Sequence, residues 1–223
     1  MTTYDIIFIV NPKAASGTAG RRWSKISKYA ESRLGPFQTR ITSKPDDALA
    51  FAGEAAKEGA TKIITVGGDG TLNEVVNGIM KLPESIRNKV FLGFFPFGTG
   101  CDLVRTLPIP KSTRAAVEVI SKGKSVPIDV GKIFFRDKNG NNASRYFHNI
   151  ASFGLGGEVD RKINQINKCN GTIAFFAAAI ESVFRYGKKK VFLEIDQKFN
   201  KEFIIWNVAV ANGCCHGAGM KVA

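Results

Sequence analysis

The 223-residue sequence predicts an α/β protein in two parts. Residues 1–124 read as a three-layer domain built on a parallel sheet, and residues 125–223 as an antiparallel β-rich domain that stops before it is complete. Three observations carry this prediction. Up to Lys124, short apolar runs alternate with segments of helical spacing, the rhythm of a parallel sheet covered by helices. After Gly123, strand-like segments return through short polar turns, which makes neighbours antiparallel. Small, polar turns rich in glycine stand where several of the first-half strands end.

The elements follow in order. Ile6–Val10 is continuously apolar, as a strand buried on both faces must be. Arg21–Leu34 places Trp23, Ile26, Ala30 and Leu34 on one side of a helix, and Gly35-Pro36 stops it. Phe37–Thr42 is a short second strand. Asp46–Glu58 is a helix with acids in its first turn, where the dipole favours them, and Leu49, Ala52 and Ala56 along its apolar stripe. Lys62–Val66 and Val90–Phe95 are further strands, Thr71–Met80 and Thr113–Ser121 further helices. Beyond a boundary near Ser125, strands are expected at Val126–Phe135, Tyr146–Phe153, Lys190–Ile195 and Phe203–Ala211. A turn at Asp137–Asn142 separates the first pair, a turn at Gln197–Lys201 the second, and a helix over Thr172–Arg185 intervenes.

Composition narrows the function classes. With 44% hydrophobic and 23% charged residues the chain is globular in character, neither disordered nor collagenous. The N-terminus has no basic segment ahead of its apolar run, and no apolar stretch approaches the roughly 20 residues that span a bilayer, so a cytoplasmic protein is expected. Four cysteines without C-x-x-C spacing read as buried, reduced thiols, and neither His148 nor His216 has neighbours suited to a metal site. The net charge of +13 calls for an anionic partner. The basic excess is spread over both halves instead of forming a stripe with stacking aromatics, which argues against nucleic acid.

The loops are more specific. Val66-Gly67-Gly68-Asp69-Gly70-Thr71-Leu72-Asn73-Glu74-Val75 passes from strand to helix, where glycines let a ligand approach the backbone and the helix N-terminus offers free N–H groups to phosphate. It matches neither of the two commonest nucleotide-binding glycine patterns. Asp69 beside a phosphate implies a Mg²⁺–nucleotide site or an acid that takes a proton from an attacking hydroxyl, while a simple N-cap is the plain alternative. Two more loops of this kind, Asn11-Pro12-Lys13-Ala14-Ala15-Ser16-Gly17 and Pro96-Phe97-Gly98-Thr99-Gly100-Cys101-Asp102-Leu103, follow the first and fourth strands. Loops at the carboxyl ends of parallel strands converge on one crevice, so a site for a phosphorylated ligand is expected there.

These three motifs in this order resemble the diacylglycerol kinase catalytic-domain superfamily of lipid kinases. The similarity extends to Asn149-x-x-Ser152-x-Gly154 and Asn212-Gly213-x-x-x-Gly217-x-Gly219-Met220. The resemblance implies an ATP-binding α/β domain, a lipid-accepting β domain, and transfer of the γ-phosphoryl of MgATP to a lipid hydroxyl such as that of diacylglycerol or a sphingoid base. It implies that Asn11, Ser16 and Gly17 line the phosphates and that Thr42 contacts the nucleotide. It further implies that Gly68, Asp69, Gly70, Thr71, Asn73 and Glu74 form the central loop and that Thr99 completes the pocket. Asp69 is the catalytic candidate, for metal-linked positioning or proton acceptance, and Lys13 and Arg21 are candidates for neutralising phosphate charge. Peripheral attachment to a membrane, where the lipid is met, belongs to the same picture, while the sequence leaves open whether the protein is a monomer or a homo-oligomer.

Two departures stand out. Cys101 occupies the place where the family usually has Asn. The Asp-Gly segment thought to supply the family's general base does not occur before Ala223, so the sequence reads as a fragment of a longer kinase or a truncated relative. Alternatives are a NAD kinase-like phosphotransferase and a non-catalytic nucleotide- or lipid-binding protein. In the second half, Lys188-Lys189-Lys190 reads either as a solvated turn or as a surface for anionic headgroups, and Phe175, Phe176, Ile180, Val183 and Phe184 as a core stripe.

Overall fold

Every residue of Ile6–Val10 is buried, and the segment forms β1 at the centre of the protein's main sheet. The computed structural model describes residues 4–98, 100–157, 186–217 and 219–222. The expected helix at Thr172–Arg185, with its phenylalanine stripe, lies outside them, as do Thr99 and Cys169. The chain divides into two compact units, residues 1–149 with 211–223, and residues 150–210.

In the first unit, β2 (Gln38–Ile41), β1, β3 (Lys62–Gly67) and β4 (Phe91–Pro96) lie side by side in that order, all parallel. Helices cover both faces. On one face α1 (Thr18–Leu34) and α6 (Thr113–Ser121) enclose Phe8, Val10, Ile26, Ala30, Phe95 and Val117. Phe8 sits at the middle of this layer, its ring 4.5 Å from Phe37 and 5.3 Å from Trp23. The Arg33 guanidinium meets Glu118 at 2.9 Å and so links α1 to α6. On the other face α2 (Asp47–Lys57) and α3 (Asp69–Met80) pack over Ile7, Ile9 and Ile63 through small residues. A Cβ on Gly78 of α3 would run into the Leu49 carbonyl oxygen of α2, so the two helices touch backbone to backbone. Two four-residue helices, α4 (Glu84–Arg87) and α5 (Leu103–Thr106), complete the layer architecture.

The second half of the chain is antiparallel but more broken than its hydrophobic rhythm suggests. Of the strand expected at Val126–Phe135 only β5 (Gly131–Arg136) forms, since Pro127 lacks a ladder donor. It pairs antiparallel with β6 (Asn142–Phe147). The expected strand Tyr146–Phe153 is two strands, β6 and β7 (Ile150–Gly154), interrupted where the Asn149 carbonyl accepts the N–H groups of Asn212 and Gly213. In the second unit β8 (Lys189–Ile195) and β9 (Phe199–Ile205) form a hairpin. Its turn has Asp196 and Gln197 at φ 51° and 56°. The expected strand Phe203–Ala211 likewise splits, into β9 and β10 (Asn207–Ala211), at Trp206, whose carbonyl accepts the Leu155 N–H at 2.8 Å. β10 lies beside β7. Back in the first unit, β11 (Cys215–His216) pairs with β12 (Met220–Lys221).

Candidate active site at the carboxyl edge of the sheet

The parallel register sets Val10 beside Val66 and Val66 beside Phe95, so the loops after β1, β3 and β4 leave the sheet as neighbours. Backbone bonds prolong the sheet into them: the Asn11 N–H donates to the Val66 carbonyl at 2.9 Å, and the Phe97 N–H to that of Gly67 at 2.7 Å. The Thr42 N–H donates to the Val10 carbonyl at 2.9 Å, so Thr42, itself buried, extends the same edge beyond β2.

The loop after β1 is held by its own asparagine. The Asn11 amide donates to the Thr71 hydroxyl at 3.0 Å, while its Oδ1 accepts the Lys13 N–H at 3.0 Å. The chain then takes three left-handed residues in a row, Ala15 (φ 50°), Ser16 (φ 53°) and Gly17 (φ 82°). Left-handed backbone disfavours each of the two non-glycine residues by about 1–2 kcal/mol, and such strain persists where the surroundings enforce it, commonly at functional loops. Arg21 holds the turn closed, donating to the Ser16 carbonyl at 3.2 Å and to the Thr18 hydroxyl at 2.9 Å. Gly17 caps α1 with no side-chain bond, and the N–H groups of Thr18, Ala19 and Gly20 donate instead to the Ala15, Ala14 and Pro12 carbonyls, so the loop itself closes this helix end.

The loop after β3 meets the loop after β4 with no side chain between them. A Cβ on Gly98 would stand 2.8 Å from the Gly68 Cα and 3.0 Å from the Cys101 Sγ. Gly67 is equally constrained, by Thr71. Gly70 is different: it is exposed, its φ is not positive, and a Cβ there would meet nothing within 4 Å. Neither packing nor conformation requires glycine at this position. A ligand lying against the first turn of α3 would.

Asp69 is the first residue of α3 and not its cap, which is Gly68. Burial, then the charge of Asp102, push the Asp69 carboxyl above the usual carboxylate range, although the backbone N–H groups of Cys101 and Asp102 favour its charged form. Its Oδ1 is buried with no hydrogen-bond partner among the described residues. Asp102 is buried and lies 3.6 Å from the Arg105 guanidinium. Cys101 takes a left-handed φ of 46° and its thiol donates to the Gly98 carbonyl at 3.5 Å. Burial pushes that thiol up to about 11. Two carboxylates with one orphaned oxygen, beside N–H groups that suit phosphate, fit a divalent cation that keeps most of its ligands as waters and phosphate oxygens.

Asn73 and Glu74 lie a turn further along α3. The Asn73 amide donates to the Tyr146 carbonyl at 3.1 Å and its Oδ1 accepts from Arg145 at 3.2 Å, so it docks β6 against the helix. Asn77, which the sequence reading did not single out, makes the same dock from full burial. It donates to the Tyr146 carbonyl and accepts the Tyr146 N–H, both at 2.9 Å. The spacing of Asn73 and Asn77, one above the other on a helix face, was the available signal. Asp102 was read as part of the third loop but given no role, and Arg105 was not singled out. The structure thus gathers Asn11, Gly68, Asp69, Gly70 and Thr71 on one edge, with Ser16 and Gly17 at the start of α1 and Thr42 one strand outward.

Beside this edge, between α1 and the start of α6, a groove of about 880 Å³ is lined by Arg21, Arg22, Lys25, Lys111 and Arg114, with no carboxylate among its lining residues. Behind α5 a smaller cavity of about 120 Å³ holds His148, buried with both ring nitrogens unpartnered among the described residues. Burial pushes its imidazole down to about 4, so it is neutral at physiological pH. No helix of the described residues is long and apolar enough to cross a membrane.

Comparisons with known proteins agree with this geometry. The family model described as diacylglycerol kinase catalytic domain matches residues 5–133. The model described as YegS C-terminal NAD kinase beta sandwich-like domain matches residues 149–223. A diacylglycerol kinase of Staphylococcus carnosus (strain TM300) is 35% identical over 206 residues, which are 92% of this chain and 63% of the relative. One of Staphylococcus aureus (strain JH9) is 34% identical over 173 residues, 77% of this chain and 51% of the relative. The chain therefore spans between half and two thirds of the length of these curated relatives. A crystal structure of a diacylglycerol kinase from Bacillus anthracis str. Sterne superposes with a TM-score of 0.69 at 27% identity, covering 100% of this chain and 69% of the other.

Proposed function

Because this chain belongs to the diacylglycerol kinase catalytic-domain family, we propose that the protein transfers the γ-phosphoryl group of MgATP to the hydroxyl of a lipid such as diacylglycerol or a sphingoid base. The observation that carries the proposal is Asp69, a half-buried acid of raised proton affinity set between a glycine turn and the Cys101-Asp102 loop, on an edge where the N-terminus of α3 opens. In this reading Gly68, Gly70 and Thr71 present backbone N–H groups to the phosphates. Asn11 holds Thr71 and the Ala15–Gly17 turn in register for the same task. Ser16 and Gly17 cradle the far phosphates, and Thr42 borders the nucleotide from β2. Thr99 is assigned to the pocket by motif alone. Asn73 and Glu74 support the loop from behind.

Mg²⁺, when bound, would neutralise charge on the transferring phosphoryl group, and Asp69 with Asp102 are the residues that would hold it. A cation there also relieves the repulsion between the two carboxylates. Asp69 of raised basicity suits either that task or acceptance of the hydroxyl proton. The lipid is met at a membrane surface, with the protein cytoplasmic and peripheral. The test is incubation of the full-length protein with γ-labelled ATP and, separately, diacylglycerol, sphingosine and NAD. Label in a lipid but not in NAD is the expected result. Label in NAD alone, or in no acceptor, would overturn the reading.

A further inference from the structure

Cys214 and Cys215 lie in the stretch with which the first unit resumes at Ala211, and their Sγ atoms are 3.2 Å apart, within van der Waals contact. They do not share one environment. Cys214 is half-exposed and Cys215 buried. Cys214 is tied to α5: its N–H donates to the Thr106 Oγ1 at 3.0 Å, and the same hydroxyl lies 3.5 Å from its Sγ. The thiol also faces the Arg105 carbonyl at 3.7 Å. Cys215 is pinned by pairing with Lys221 and by its carbonyl, which accepts from the Asn149 amide at 2.9 Å. Gly213, just before the pair, lies so close to Asn149 that a Cβ there would collide with it.

This arrangement separates the roles a thiol pair needs. The accessible sulfur is the one that a hydroxyl and a neighbouring thiol stabilise as thiolate, and Lys221 adds to the effect, so its proton affinity is lowered. The buried sulfur is raised by that same neighbour and by burial, so it stays protonated until its partner has reacted. Cys101, sealed under Gly98 with a thiol pushed up to about 11, is the inert contrast in the same unit.

We propose that Cys214 and Cys215 are a thiol-modification site, a vicinal dithiol that a peroxide converts to an intramolecular disulfide, with Cys214 the attacking and Cys215 the resolving sulfur. In the first step the Cys214 thiolate attacks one peroxide oxygen. An S–O bond forms, the O–O bond breaks, and hydroxide leaves and is protonated to water. In the second step Cys215 gives up its proton and attacks the Cys214 sulfur, and the S–OH oxygen leaves with that proton as water. Two thiols and one hydrogen peroxide become one disulfide and two waters, the sulfurs losing the two electrons that the peroxide gains. Closing the Sγ atoms to the roughly 2.05 Å of a disulfide also distorts the peptide between the two cysteines, whose Cα atoms, about 3.8 Å apart, stand closer than those of an ordinary disulfide, so the bond formed is strained and readily reduced. The inference does not rest on the proposed phosphotransfer.

The test uses the full-length protein, treated with hydrogen peroxide, alkylated with iodoacetamide, digested and weighed. The expected peptide over residues 214–215 is two hydrogens lighter and unlabelled, and dithiothreitol restores two alkylation sites. Before oxidation, half-exposed Cys214 should alkylate faster than buried Cys101 at neutral pH. Phenylarsine oxide should bind one per chain and be lost in Cys214→Ser, whose hydroxyl keeps the Thr106 contact and the fold. Oxidation that halts at Cys214 with Cys215 still alkylated, a disulfide from either cysteine to Cys101 or Cys169, or arsenical binding that survives Cys214→Ser would each overturn the proposal.

Discussion

At the scale of single residues, Asp69 and Gly70 show function held against stability. The fold raises the proton affinity of the Asp69 carboxyl, so the ionised form is less favourable folded than unfolded. The sign follows by linkage: below the unfolded value, near 3.9, there is no penalty, and as pH rises through the shifted folded value the penalty grows and then stays constant. Asp69→Asn should therefore raise the urea midpoint at pH 7 and leave it unchanged near pH 3. The same substitution should lower turnover by about 10²–10⁴ if the residue moves the proton or holds the metal. A midpoint that fell at pH 7 would show that the carboxylate is stabilising after all. Gly70→Ala makes the complementary case. With nothing within 4 Å of the new methyl group and a helical backbone, alanine should stabilise α3 by up to about 1 kcal/mol. Calorimetric titration should nevertheless show weaker MgATP binding, because the methyl fills the space over the first turn. The same change at Gly98, whose Cβ would stand 2.8 Å from Gly68, should instead lose stability.

At the scale of elements, the strands and long helices of the parallel half were legible, although α1 starts at Thr18 and not Arg21 and α3 at Asp69 and not Thr71, and those of the antiparallel half were less so. Thr113–Ser121 forms as its spacing predicts, and Lys62–Val66 and Val90–Phe95 shift by one residue, because in a three-layer α/β unit the apolar period alone decides which face is inside. The breaks at Asn149 and Trp206 were hidden for the opposite reason. Each is a place where a carbonyl is taken by a distant N–H, and the apolar rhythm runs on through it. The four-residue α4 and α5 are too short for any period. Asn77 belongs to this scale, because its role is to couple two elements. It offers β6 both halves of a peptide-like pair from inside α3, so no hydrophobic pattern reveals it. Asn77→Ala leaves the Tyr146 N–H and carbonyl without this partner and should cost about 1–3 kcal/mol. Chemical denaturation measures that loss, and hydrogen exchange should show it concentrated at β5 and β6. Asn77→Asp keeps the acceptor but sets a buried carboxylate against the Asn73 and Tyr146 carbonyls, and at neutral pH should cost more than alanine.

At the scale of the whole molecule, what the sequence displayed as a charge the structure displays as a place. A net charge of +13 suggested an anionic partner without locating it. In the first unit, five cations line a groove beside the strained Ala15–Gly17 turn and the Pro96–Gly98 loop, with no carboxylate among the lining residues. Arg22 lies over the Phe97 ring at 5.8 Å and Arg114 over Tyr29 at 5.7 Å, which holds the guanidinium groups at the rim. Charges so arranged act on an approaching polyanion through the solvent, over a Debye length of about 8–10 Å at physiological ionic strength. They change its arrival more than its final contacts. Reversing two of them, Arg22→Glu with Arg114→Glu, should therefore slow MgATP association about tenfold at low salt. It should flatten the dependence of that rate on ionic strength and leave the dissociation rate within about twofold. Stopped-flow measurement across a salt series separates these quantities. Both residues lie outside the loops that touch the phosphates in the proposed reading. A large rise in dissociation rate would mean that the groove itself holds the nucleotide, and that the glycine turns serve another part of the ligand.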